Sequence, residues 1–162
     1  MRDNHSNGDA IEMGSKTTQT GSLNQTGDIL IKKTTRILVI GEDSTTTDLL
    51  SMALRPELFK IYSAGSLEEG LLYAKSCKPH LIIFDWIPNG GEGRLLCTSI
   101  REYFEAPILV LSAIQTPAMV AKVLDGGADG FLTKPVPNEV LVAHINNLTR
   151  RARFEREASI DK

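Results

Sequence analysis

The chain predicts an α/β protein: a three-layer sandwich in which a five-stranded parallel sheet is covered by helices on both faces. Short apolar runs alternate five times with longer segments whose apolar residues recur at helical spacing. The runs are apolar at nearly every position, as strands buried on both faces must be. The composition is that of an ordinary globular protein, with 41% hydrophobic residues and a formal net charge of −2.

The elements follow in order. Residues 1–35 contain no Phe, Trp, Tyr or Val and draw 18 positions from Gly, Ser, Thr, Asn and Gln. So little apolar surface does not offset the entropy of ordering, and a disordered tail is expected. RILVI (36–40) reads as the first strand; the helix after it carries Leu49, Leu50, Ala53 and Leu54, with Ser44 as its N-cap and Pro56 beyond its end. FKIY (59–62) precedes a helix capped by Ser66, lined by Leu67, Leu71 and Leu72, and ended before Pro79. LIIF (81–84) leads to a helix with Leu95, Leu96 and Ile100, and ILVL (108–111) to one with Met119, Val120, Val123 and Leu124, closed by Gly126-Gly127. GFLT (130–133) is the fifth strand, and Val140, Leu141, His144 and Ile145 mark the last helix. The folded domain is expected over residues 36–149. Residues 150–162, with five basic and three acidic side chains, read as a helical extension or linker.

Composition also excludes functions. No run approaches the roughly 18 apolar residues of a membrane span, and the first residues lack the apolar core of a secretory signal, so a cytoplasmic protein with no membrane contact is expected. Cys77 and Cys97 form no CxxC and are accompanied by no paired histidines; neither zinc nor a disulfide is indicated, and both read as buried small hydrophobes. His5, His80 and His144 are too scattered for a histidine-based site. The acidic balance argues against direct nucleic-acid binding, which needs a basic patch to neutralise phosphates.

The carboxyl ends of parallel strands share one edge, and ligands bind in the crevice there. The first polar residues after the runs are Glu42 and Asp43 (past Gly41), Asp85, Ser112 and Lys134. Three carboxylates, a hydroxyl and an amine are therefore expected to converge. Clustered carboxylates repel unless a cation joins them, and hard oxygen ligands suit Mg²⁺ or Mn²⁺.

In ILVIGEDS, LIIFDW, ILVLSA and GGADGFLTKPV the chain resembles the receiver domains of bacterial two-component response regulators, over about residues 35–150. LSA, LTKP and NEVLVAHINNLTRR are most similar to the OmpR/PhoB subfamily. The resemblance implies the flavodoxin-like (βα)5 fold. It implies Asp85 as phosphoacceptor for a sensor histidine kinase or phosphotransfer protein, Lys134 as the phosphate-pairing lysine, and Ser112 and Phe131 as switch residues. Mg²⁺ would be held by Glu42, Asp43, Asp85 and the backbone carbonyl of Ile87. Lys134-Pro135 would be cis. The phosphorylated form would signal, or form a homodimer, through the fourth helix, fifth strand and fifth helix. Such a protein is no enzyme beyond its own phosphorylation and dephosphorylation. The winged-helix DNA-binding domain that usually follows in that subfamily is not expected in this chain.

The chain departs from the family at several positions. Gly41 stands where an acid is usual, which predicts weak metal binding that Gly41→Asp would tighten. Pro88 comes one residue early after Asp85, and Glu92-Gly93 replaces Asp-Gly. His144, Asn146 and Gly130 replace charged residues of the dimer face, leaving Lys122, Asp129 and Glu139 to pair across it. Trp86 reads as a neighbour of the site or a partner contact. Two other classes compete: a degenerate receiver serving as a docking scaffold, and a flavin or small-molecule binder, for which the first turn, GEDSTTTD, lacks a Gly-rich phosphate cradle.

Overall fold

The computed structural model describes residues 34–86, 93–114 and 116–160. Nearly all of the expected tail therefore lies outside the described residues, as do Ile87, Pro88 and Glu92. The elements alternate as β1 (Thr35–Ile40), α1 (Thr45–Ala53), β2 (Phe59–Ala64), α2 (Leu67–Cys77), β3 (Leu81–Trp86), α3 (Gly93–Arg101), β4 (Ile108–Ser112), α4 (Pro117–Asp125), β5 (Gly130–Thr133) and α5 (Asn138–Ile160). All four strand pairings are parallel, in the order β2-β1-β3-β4-β5. The expected three-layer sandwich is observed.

Alternation of side chains along each strand divides the apolar runs between two cores. Ile37, Val39, Leu81, Ile83, Leu109 and Leu111 face Leu50 of α1, Leu54 just past its end, and Leu141, Ile145 and Leu148 of α5. Leu38, Ile40, Ile82, Phe84, Ile108 and Val110 face Ala74 of α2, Cys97 and Ile100 of α3 and Val123 of α4. The central strands β1, β3 and β4 thus serve both layers, while the edge strands β2 and β5 are less buried, Lys60 of β2 being exposed.

Several local expectations change. β3 and β4 run on through Asp85 and Ser112, because Asp85 pairs with Leu111 and Trp86 with Ser112 before the strands part. Ser66 does cap α2, its Oγ accepting from the Glu69 N–H at 3.2 Å while Glu69 Oε2 accepts from the Gly65 N–H at 2.7 Å. Ser44 does not cap α1: it is already helical and its side chain makes no cap bond. Asp43 does that work, its Oδ1 accepting from the Thr45 N–H at 2.9 Å and hydroxyl at 2.7 Å. Leu49, Leu72, Leu124 and Val140, expected to line helix cores, are exposed, because each helix touches the sheet along a narrower stripe than its apolar residues span. Cys97 is buried, Cys77 only partly. α4 ends at Gly126, and Gly127 takes a φ of +107°, the turn that closes the helix.

The strand order reverses between β1 and β3. That leaves a crevice at their carboxyl ends, where the chain must leave β1 on one side and β3 on the other.

Candidate functional site

Asp85 is the penultimate residue of β3, beside that crevice. Alternation from Ile83 places it on the face covered by α1 and α5. Its side chain is 2% exposed. A carboxylate so buried must be paired and hydrogen-bonded. Both oxygens are. The Lys134 ammonium, immediately after β5, forms an ion pair with Oδ1. The Thr46 hydroxyl, in the first turn of α1, donates to Oδ2. Lys134 is held by its own N–H, which donates to the Ser112 carbonyl at 2.9 Å, and the Lys134-Pro135 peptide is cis.

Gly41 forms the floor. A Cβ there would lie 2.8 Å from Asp85 Cβ and 2.9 Å from the Asp85 carbonyl oxygen. The missing acid thus matches a steric requirement of this backbone: any side chain added at Gly41, Gly41→Asp included, would push against Asp85.

The remaining expected site residues are less tightly gathered. Ser112 is fully buried, but its Oγ accepts from the Ile114 N–H at 3.2 Å and makes no bond to Asp85. Phe131 pairs with Val110 in the sheet and packs, partly buried, on the core under α2, α3 and α4. Trp86 packs on that same core, across the sheet from Asp85. Glu42 and Asp43 are exposed. The Thr45 hydroxyl and N–H hold the Asp43 carboxyl below its ordinary value of 3.8. Among the described residues no three His, Cys, Asp or Glu side chains gather as a metal cluster, so the expected convergence of three carboxylates is not observed. The physical reason is local: Glu42 is exposed, and Asp43 is turned onto its own helix. The donors still fit a hard divalent cation in kind, since Asp85 and Glu42, the residue after Gly41, offer only oxygen.

A cleft of about 410 Å³ opens beside this site, between α1 and the segment after β5, with Thr46, Leu49, Ala113, Lys134, Pro135 and Val136 among its walls. Asp85 is not on the wall; Thr46 and Lys134 stand in front of it. Thr46 escaped the reading of the sequence, although a signal existed: with Leu50 and Leu54 it forms an i, i+4, i+8 stripe on the buried side of α1. A hydroxyl heading an apolar stripe needs a partner, and the nearest strand end supplies Asp85.

The model of the response regulator receiver domain matches residues 37–146. The transcriptional regulatory protein KdpE of Staphylococcus aureus is 30% identical over 125 residues, covering 77% of this chain and 54% of that protein. The transcriptional regulatory protein YvrH of Bacillus subtilis is 33% identical, covering 76% and 52%. The chain spans about half the length of the curated relatives it matches. Among solved structures, a two-component response regulator from Clostridium difficile superposes with a TM-score of 0.66 at 31% identity, covering 72% of this chain and 97% of the other.

Proposed function

Because the chain belongs to the response regulator receiver domain family, we propose that it works in two-component signalling as a phosphoacceptor: Asp85 takes a phosphoryl group from a histidine kinase or phosphotransfer protein. The observation that carries this reading is the Lys134–Asp85 pair, a buried carboxylate joined to an ammonium at the carboxyl edge of the sheet. A carboxylate oxygen of Asp85 attacks phosphorus, the P–N bond to the donor imidazole breaks, and the imidazole leaves with its electron pair. Two anions must meet in that step, and the Lys134 ammonium offsets their repulsion. Glu42, Asp43, Asp85 and the Ile87 carbonyl are the oxygens proposed to hold Mg²⁺, Glu42 and Asp85 foremost. When bound, Mg²⁺ supplies further neutralisation of the phosphoryl oxygens. The apolar cleft beside Thr46 and Leu49 supplies a dry surface for the donor.

Ser112 and Phe131 are proposed to carry the response: the acyl phosphate offers new acceptor oxygens to the Ser112 hydroxyl, and Phe131 follows. Output is assigned to the face of α4, β5 and α5, to a partner or as a weak homodimer. The test is incubation with phosphoramidate and Mg²⁺ followed by intact mass. One phosphoryl adduct in the wild type and none in Asp85→Asn is expected; an adduct that survives Asp85→Asn overturns the assignment. The absence of a carboxylate at Gly41 favours a second reading, a docking scaffold that carries no phosphate. No adduct at any donor concentration would establish it.

A further inference from the structure

The geometry points to Thr46 as a latch on Asp85, a hydroxyl that must let go of the carboxylate before a phosphoryl group or a cation can take its place. This rests on Asp85 as phosphoacceptor and adds a residue that controls it. Three observations converge. Thr46 donates to Oδ2, while Lys134 occupies Oδ1, so neither oxygen of the nucleophile is uncommitted. The cleft beside the site, the surface proposed for the donor, has Thr46 and Lys134 on its wall and not Asp85. The carboxylate has no retreat toward β1, because Asp85 Cβ already rests against Gly41.

The two guards differ in kind. Lys134 has a flexible four-carbon stem, is 31% exposed, and stays useful after transfer because it pairs with phosphate as well as with carboxylate. Thr46 is 4% exposed and β-branched, with few rotamers open to it in a helix. Its hydroxyl gives the resting carboxylate the hydrogen bond that burial demands, with no cation present. The same bond competes with every incoming electrophile for Oδ2. Thr46 therefore stabilises the unphosphorylated form and slows entry into the phosphorylated one.

Thr46→Val keeps the shape and removes the donor, whereas Thr46→Ser keeps the donor. Phosphoramidate labelling with Mg²⁺, followed by intact mass, is expected to run about tenfold faster in Thr46→Val, the size of one released charge-assisted hydrogen bond, and at the wild-type rate in Thr46→Ser. Urea unfolding should show Thr46→Val no more stable than wild type, so a faster rate cannot come from a firmer fold. Mn²⁺ binding, read from the free-ion paramagnetic resonance signal, should tighten in Thr46→Val alone. Labelling of Thr46→Val at or below the wild-type rate overturns the latch and leaves Asp85 as acceptor. Should neither protein be labelled, tighter Mn²⁺ binding by Thr46→Val upholds the latch while the acceptor reading falls, and unchanged Mn²⁺ binding overturns the latch as well. If Thr46→Val does not fold, Thr46→Ala is judged by the same rates.

Discussion

Single residues decide how close the elements of this protein come. Gly41 is the clearest case, because its missing Cβ is the space in which Asp85 sits. Gly41→Ala is expected to cost about 1–3 kcal/mol, the range for overpacking a tight contact, seen as a lower urea midpoint at unchanged slope. Gly41→Asp should cost at least as much and bind Mg²⁺ no more tightly than wild type in a calorimetric titration. Cys97 makes a second residue-scale case. Burial among the helices of its layer pushes its thiol from 9.0 to about 11. The unfolded chain therefore loses that proton first, so the contribution of Cys97 to stability is complete below about pH 9 and is lost as pH rises toward 11. Urea midpoints measured from pH 8 to 11 should fall less in Cys97→Ala than in wild type. Asp43 has the opposite sign: its lowered value supports the start of α1 above 3.8 and ceases to do so as pH falls through the folded value.

Between elements, Arg101 at the end of α3 joins several polar groups. Its guanidinium donates to the Ala106 carbonyl at 2.6 Å and, through Nε and Nη2, to the Gly127 carbonyl at 3.1 and 3.0 Å, and it pairs with Asp129. Asp129 in turn accepts from the Ile108 N–H at 2.8 Å. The end of α3, the start of β4 and the turn before β5 are thereby tied at one point. Asp129, which the resemblance offers as a charge for a two-fold contact, thus also pairs within the subunit, its side chain 40% exposed. Arg101→Ala should cost about 1–3 kcal/mol, since it leaves carbonyls without their donor and the pair itself is partly solvated. Asp129→Lys should lower the melting temperature of the monomer. A melting temperature equal to wild type would show that the clamp is not used.

At the scale of the whole molecule, two apolar cores share one sheet, so neither layer of helices folds without the strands of the other. α4 and α5 each give one stripe to a core, Val123 from α4 and Leu141, Ile145 and Leu148 from α5, and leave Leu124 and Val140 exposed beside the face proposed for output. Lys122, Asp129 and Glu139 are the charges proposed for a two-fold contact, Asp129 being shared with Arg101, and exposed pairs contribute only about 0–1 kcal/mol each. Analytical ultracentrifugation should therefore find a monomer at rest and, with beryllofluoride on Asp85, at most a weak dimer that higher salt dissolves. A tight dimer without beryllofluoride would place assembly elsewhere. The succession of strands and helices, the parallel sheet and the membership of Asp85 and Lys134 in one edge were legible from residue order, because hydrophobic period is local and a helix joining successive strands makes them parallel; the width of each helix's buried stripe was not, as the exposed Leu49, Leu72, Leu124 and Val140 show. Residue order did not reveal that Gly41 is a contact, that Asp43 caps α1 and Ser44 does not, that Asp129 faces Arg101, or that Thr46 holds Asp85. Each of these is a meeting of side chains from separate elements, or a choice among near-equal local partners. Such choices turn on distances of an ångström or less, set only when the helices dock on the sheet, so the tertiary structure alone decided them.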